Sequence, residues 1–303
     1  MASKAINVDY KGRIAVITLD QPERLNSFNE EQFYFLGECL REIAKHDEVA
    51  ITLLIGTGRF FSSYVMLLIH PVSAQFAFWY LTRSSTLFSG ADVSDLGKVM
   101  AAPNRKDILA ASLFNNIDLT RAFYTHPKIL VVGLNGPVVG FPAALISFAD
   151  FIYARPHAYL LLPFSSLGFA AEGGASRALR DRLGVAKAKE ALMMSKRIPS
   201  EELLACGFVN KILQPLSQGS NAGGADPLEF LNQVLKELGK DLGSHLSDSS
   251  LLSIKQQFFQ DDRRAYEHTT VQEAYTAVEK MCAGVPQKQM QRIAAAKKMK
   301  SKL

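Results

Sequence analysis

Cysteine is scarce: Cys39, Cys206 and Cys282 are the only three, far apart and odd in number, and no pair has the spacing of a thiolate metal site. They read as reduced, structural thiols. The six histidines (His46, His70, His126, His157, His245, His268) are equally scattered, without an HExxH or paired-ligand pattern, so no metal site is expected. The opening MASKAINVDYKG has neither an apolar h-region nor Arg/Ser-rich transit character, so no leader is expected in it. Nor is there much surplus charge. Of the net +5, Lys297, Lys298, Lys300 and Lys302 contribute four charges within the last seven residues. Such a basic tail is usually a solvated extension, so no nucleic-acid partner is expected.

What remains is an ordinary globular composition: 303 residues, 48% hydrophobic and 21% charged, enough for one large domain plus a smaller appendage. Ala5 to Tyr10 and Arg13 to Leu19, rich in Ile and Val and divided by Lys11-Gly12, predict a β-hairpin. From Asn29, an N-cap residue type, Phe33, Leu36, Leu40 and Ile43 recur at helical spacing, and Val49 to Ile55 reads as a buried strand. The alternation continues with a helix over 106–124, a strand over 128–134, a short helix from Pro142 and a strand over 151–154. That order indicates an α/β architecture. After a Ser/Gly/Asn-rich loop over 214–227 the chain reads as wholly helical, with Leu228, Leu231, Val234, Leu235 and Leu238 on one face. A boundary is placed near residue 220, giving a catalytic core over 1–220, a helical region over 221–300 and a terminal tripeptide over 301–303.

One stretch does not fit this alternation. Residues 64–89 (YVMLLIHPVSAQFAFWYLTRSSTLFS) are strongly apolar, hold the only Trp and stand where a short connection is expected. Only about eighteen of them form the apolar run, and His70, Pro71 and Gln75 interrupt it, which argues against a membrane span.

Three glycine-containing segments carry the chemistry: Ser89-Gly90-Ala91-Asp92, then Asn135 to Pro142 (NGPVVGFP), then Leu167 to Gly174 (LGFAAEGG). Pro142 suits the first turn of a helix, where its missing N–H has no partner to lose. The Phe141 N–H is left at that helix start with the dipole behind it, suited to a developing negative charge. A group that stabilises an enolate is useful only beside a base, and Glu172, set between apolar residues and the flexible Gly173-Gly174, is the candidate. Burial should raise its pKa and the helix beginning near Ala175 should lower it, a balance the sequence leaves open.

Together with ERLNSFN (Glu23 to Asn29), the order and spacing of these segments resemble the enoyl-CoA hydratase/isomerase (crotonase) superfamily, from the N-terminus to about residue 213. The nearest pattern within it is the peroxisomal Δ3,Δ2-enoyl-CoA isomerase of fungal type. The resemblance implies a spiral of repeated ββα units with a C-terminal helical region for oligomerisation, as a homotrimer or a hexamer. It implies an oxyanion hole formed by the Ala91 and Phe141 N–H groups, with Arg24, Leu25, Ser89, Gly90, Asp92, Val93 and Gly140 around the acyl-CoA. It also implies no cofactor, because the CoA thioester itself acidifies the proton to be moved.

A hydratase of this superfamily uses two glutamates, and Ala144 and Phe164 stand at the matching positions. A dienoyl-CoA isomerase would also place a second acid near Phe164. One base suits the transfer of one proton, so the expected activity is conversion of 3-enoyl-CoA to 2-trans-enoyl-CoA. The alternatives are a dienoyl-CoA isomerase, another acyl-CoA enzyme such as a hydratase, or a catalytically silent acyl-CoA-binding partner of the same fold. Ser301-Lys302-Leu303 spell the peroxisomal address, so an import receptor is the expected protein partner. Joining Ser63 to Gly90 restores an uninterrupted FFSSGAD turn, which makes residues 64–89 read as a retained intron, with a lid over the acyl chain as the alternative.

Overall fold

The computed structural model describes residues 5–64, 105–216 and 227–300. The chain opens with the expected hairpin, β1 (Ile6–Lys11) antiparallel to β2 (Ile14–Leu19), and a 3-10 turn at Pro22–Arg24. Helix α1 (Glu30–Ala44) follows. Its Asn29 cap is reciprocal: the Gln32 N–H donates to Asn29 Oδ1 at 2.9 Å and the Asn29 N–H to Gln32 Oε1 at 2.9 Å, satisfying two otherwise orphaned donors. Next come β3 (Ile51–Gly56) and β4 (Ser62–Tyr64).

After the undescribed stretch the helix expected over 106–124 appears in three pieces. They are α2 (Arg105–Ser112), a π-helical segment Leu113–Leu119 and α3 (Thr120–Tyr124). The wide π turn admits an extra residue and re-aims the side chains after it, a distortion that periodicity cannot reveal. The chain continues through β5 (Ile129–Leu134), β6 (Val138–Gly140), α4 (Phe141–Leu145), β7 (Phe151–Ala154), β8 (Tyr159–Leu161) and α5 (Phe164–Leu167). Then follow α6 (Ala175–Leu183), α7 (Val185–Met193), β9 (Ile198–Pro199), α8 (Ser200–Ala205) and β10 (Lys211–Ile212). The C-terminal helices are α9 (Pro227–Asp241), α10 (Asp248–Phe259), α11 (Asp262–Cys282) and α12 (Val285–Lys300).

Successive strands are dealt to two sheets. One has the order β1-β2-β3-β5-β7-β10, the other β4-β6-β8-β9. The pairs β5-β6 and β7-β8 each send one strand to each sheet and are followed by a helix, which is the ββα spiral implied by the resemblance. Apart from the β1-β2 and β8-β9 pairs, the strands of both sheets run parallel. The central strands β3 and β5 are therefore buried along their whole length, as a parallel strand covered on both faces must be.

Helix α9 lies on the outer face of the larger sheet, where Phe230, Val234 and Leu238 pack on Val16, Leu53 and Val131. The apolar face expected there is thus rotated. Leu228 is 62% exposed and Leu231 and Leu235 are only partly buried, because the stripe against the sheet is centred on Phe230 and its i+4 and i+8 neighbours.

Candidate active site

The turn ERLNSFN is held against the smaller sheet by its backbone. Leu25 and Asn26 take left-handed φ values of 54° and 51°, a conformation that Asn tolerates and Leu does not prefer. The cost is offset by the Asn26 carboxamide, which donates to the carbonyls of Thr57, Phe60 and Phe61 at 3.0–3.1 Å and accepts from the Gln21 N–H at 2.7 Å. Ser63 N–H donates to Leu25 O at 3.1 Å. The turn therefore presents Arg24 to solvent, while the Leu25 side chain points inward with Phe60, Val139 and Tyr159 and serves as an anchor.

Strand β4 runs beside β6 with Tyr64 opposite Gly140. Gly140 (φ 75°, ψ −135°) then turns the chain into α4, with Phe141 as its first residue and Pro142 in the first turn. A first helical N–H has no acceptor within its own helix, so the Phe141 amide is placed as the sequence predicts. Its ring is fully buried, edge-on to Phe33 at 5.7 Å. Ser89, Gly90, Ala91, Asp92 and Val93 lie outside the described residues.

Glu172 sits in the loop between α5 and α6, only 2% exposed. Gly173 and Gly174 follow it with φ of 69° and 72°. A Cβ on Gly173 would lie 2.9 Å from the Phe141 ring and 3.1 Å from Ala144 Cβ. No side chain fits there, so the glycine brings the loop bearing Glu172 against the helix bearing the Phe141 amide. Two segments 31 positions apart in sequence thereby share one site, and Ala144, fully buried, faces the loop with a methyl group.

Burial pushes the Glu172 carboxyl up to about 8, with the charge of Glu273 adding to the rise and the Asn116 carboxamide opposing it. The start of helix α6, expected to pull that pKa down, is engaged by another carboxylate. The N–H groups at that helix start are taken: Gly174 N–H donates to Glu273 Oε2 at 2.7 Å and Ser176 N–H to Glu273 Oε1 at 2.8 Å. Glu273, on α11, is itself buried, and burial raises its pKa while the Ser176 hydroxyl and these backbone donors lower it. Both of its oxygens are committed, so Glu172 is the carboxyl left for chemistry.

Neither Glu273 nor Asn116 is apparent from sequence motifs. Asn116 lies in the π segment, fully buried; it favours the ionised form of Glu172, although neither of its own polar atoms meets hydrogen-bond geometry. Glu273 did carry a signal. It stands in the buried stripe Tyr266, Thr270, Ala274, Ala277 and Met281, where a carboxylate is out of place unless something binds it.

Residues 81–223 match the family described as Enoyl-CoA hydratase/isomerase. The chain is 44% identical to a Delta(3,5)-Delta(2,4)-dienoyl-CoA isomerase of Pyricularia oryzae over 98% of both chains. It is 29% identical to a 3,2-trans-enoyl-CoA isomerase of Saccharomyces cerevisiae over 78% of both. Among solved structures, an enoyl-CoA hydratase/isomerase from Pseudoalteromonas atlantica superposes with a TM-score of 0.72 at 18% identity, covering 96% of this chain and 97% of that one.

Proposed function

The chain belongs to the enoyl-CoA hydratase/isomerase (crotonase) superfamily, and on that premise we propose that it is a Δ3,Δ2-enoyl-CoA isomerase with Glu172 as its base. The observation that carries this reading is, among the described residues, a single uncommitted carboxyl, buried and raised to about 8, with Ala144 and Phe164 where a hydratase would hold acids. A 3-enoyl-CoA places its thioester oxygen between the Phe141 and Ala91 N–H groups. Glu172 takes a proton from C2; the C–H electron pair enters the dienolate, whose charge the two amides stabilise and which extends to C4. Glu172 returns the proton at C4, giving the 2-trans-enoyl-CoA with no net gain or loss of atoms. Removing one such donor typically costs about 2.7–4 kcal/mol in the barrier. No cofactor takes part. Arg24, which is exposed, is read as the contact for the CoA phosphates.

A second reading has a specific observation behind it, since the Pyricularia oryzae relative is named a dienoyl-CoA isomerase. The two readings separate in one assay: purified protein offered 3-enoyl-CoA and 3,5-dienoyl-CoA side by side. The first reading requires a higher kcat/KM on 3-enoyl-CoA, and the reverse order overturns it.

Two further parts of this reading concern segments mostly outside the described residues. Residues 64–89 are read as an unspliced intron. Because Tyr64 stands opposite Gly140, excision would put Gly90 in that register position and Ala91 one residue beyond, beside Phe141. A chain lacking 64–89 is expected to isomerise 3-enoyl-CoA about a hundredfold faster, since a 1 Å misplacement of a catalytic group costs about that much. Faster turnover by the full chain would establish a lid instead. Ser301-Lys302-Leu303 are read as a peroxisomal signal, tested by the location of an N-terminally labelled chain with and without them. The C-terminal helices are read as the homotrimer or hexamer contact, tested by sedimentation.

A further inference from the structure

Two buried carboxylates lie within each other's field at this site, and only one is explained by the reaction. Glu273 comes from α11, 101 positions beyond Glu172, and spans the start of α6 with one oxygen on the Gly174 N–H and the other on the Ser176 N–H. A protonated carboxyl would lose one of those acceptors, so the geometry fits the anion. Gly174 is two residues from Glu172, and the two left-handed glycines leave the loop with no side chain of its own to fix it.

Among the described residues, the groups facing Glu172 are few. Asn116 approaches from the π segment without charge, α4 contributes the Phe141 ring and Ala144 methyl beside Gly173, and α11 contributes Glu273. Glu273 in turn faces the Ser176 hydroxyl and the backbone donors at Gly174, Ala175 and Ser176.

We propose that Glu273 is a positioning residue for the base: it clamps the Glu172 loop, occupies the helix N-terminus that would otherwise stabilise the Glu172 anion, and holds a second negative charge beside it. This inference rests on Glu172 being the base. Its chemical consequence is a more strongly basic Glu172, matched to a weakly acidic α-proton and populated as the anion only at the upper end of the neutral range. A carboxylate recruited merely to cap α6 would do the first of these things and leave the proton affinity of Glu172 alone.

The pH dependence of kcat/KM on 3-enoyl-CoA distinguishes the two. In Glu273→Gln, which keeps the shape and one acceptor, the acid limb is expected to fall by about one unit or more. Well below that limb each unit gives a tenfold larger share of the anion, so activity at about pH 6 relative to the plateau should rise about tenfold. Glu273→Asp, which keeps the charge, should hold the limb close to that of the natural protein. An unmoved limb in the Gln variant, or an equal fall in both, would overturn the proposal.

Should the Gln variant not accumulate, the coupling can be read from the other side, because it is reciprocal. Infrared titration of the natural protein, with the Glu172 carboxyl band assigned by its loss in Glu172→Gln, should show the Glu273 carboxylate band shift at the pH where Glu172 ionises, well above the ordinary carboxylate range; a Glu172 midpoint in the ordinary range, or a Glu273 band that does not respond there, overturns the proposal. This measurement needs no turnover, so it stays decisive if Glu172 proves not to be the base, a failure that would show separately as an active Glu172→Gln.

Discussion

Two buried ionic centres of this molecule are built on opposite principles. At the end of β7, the fully buried guanidinium of Arg155 donates to Leu213 O at 3.0 Å, Gln233 Oε1 at 2.8 Å and Glu229 Oε1 at 2.9 Å, and lies 4.6 Å from the centre of the Phe230 ring. Nearly every need of the charge is met, and three of those four partners, Glu229, Phe230 and Gln233, pin α9 to the sheet. Glu172 is as deeply buried and, among the described residues, has no cation beside it; the Asn116 carboxamide favours its anion, and the other acid nearby opposes it. A buried charge that is paired holds a structure together, whereas one left unpaired shifts its pKa and costs stability. The difference identifies which centre is for folding and which for chemistry.

The comparison breaks most visibly in turnover. Glu172→Gln is expected to fold, bind acyl-CoA and lose isomerase activity by several orders of magnitude, because a carboxamide cannot accept the C2 proton. Steady-state rates on 3-enoyl-CoA, with acyl-CoA affinity measured alongside, check this, and near-normal turnover would remove Glu172 from the mechanism.

The same substitution should affect stability in the opposite sense. An acid whose pKa rises on folding keeps its proton in the native state where the unfolded chain has already lost it. The native protein is therefore destabilised progressively as pH climbs from about 4.5 to about 8, by an amount on the order of 4 kcal/mol in full. Glu172→Gln should be the more stable form above pH 8, and the difference should vanish near pH 4.5; denaturant titrations across that range would show it. A gap that stayed constant with pH would mean that Glu172 is not held protonated.

Arg155→Met sharpens the contrast from the other side. It leaves Glu229 without its guanidinium and should cost about 3 kcal/mol in unfolding free energy. The acid limb of kcat/KM should not move, since no atom of that centre faces Glu172. A displaced limb would show that the two centres are coupled through β7.

What could be read in the sequence follows the same division. The hairpin, the Asn29 cap, the α1 periodicity and the glycines after Glu172 are local, and each appears where the residues place it. The direction of the Glu172 shift was not local. It is set first by burial, which the packed fold decides, then by Glu273, 101 positions away, which adds to the rise, while an asparagine in a π segment that no periodic pattern encodes opposes it. The rotated stripe on α9 failed for a related reason: Phe230 and Leu228 are both apolar, and only the sheet decides which of them is covered.

The smallest expected effect concerns the acids that are missing. Phe164 begins α5, buried, and Ala144 faces the Glu172 loop from α4, so Phe164→Glu together with Ala144→Glu puts carboxyls where the resemblance implies the two acids of a hydratase. General acid–base assistance contributes about 10²- to 10⁴-fold when its groups are well placed. These would not be, because both carboxyls enter an apolar site without hydrogen-bond partners and both would be held largely protonated by burial, leaving little base to activate a water. Hydration of 2-trans-enoyl-CoA should therefore rise only about tenfold over that of the natural chain, followed as loss of the conjugated thioester absorbance, while isomerisation falls. A rise to the full range would mean that the surrounding site is already a hydratase lacking its acids, and that its single-base character lies in those two positions alone.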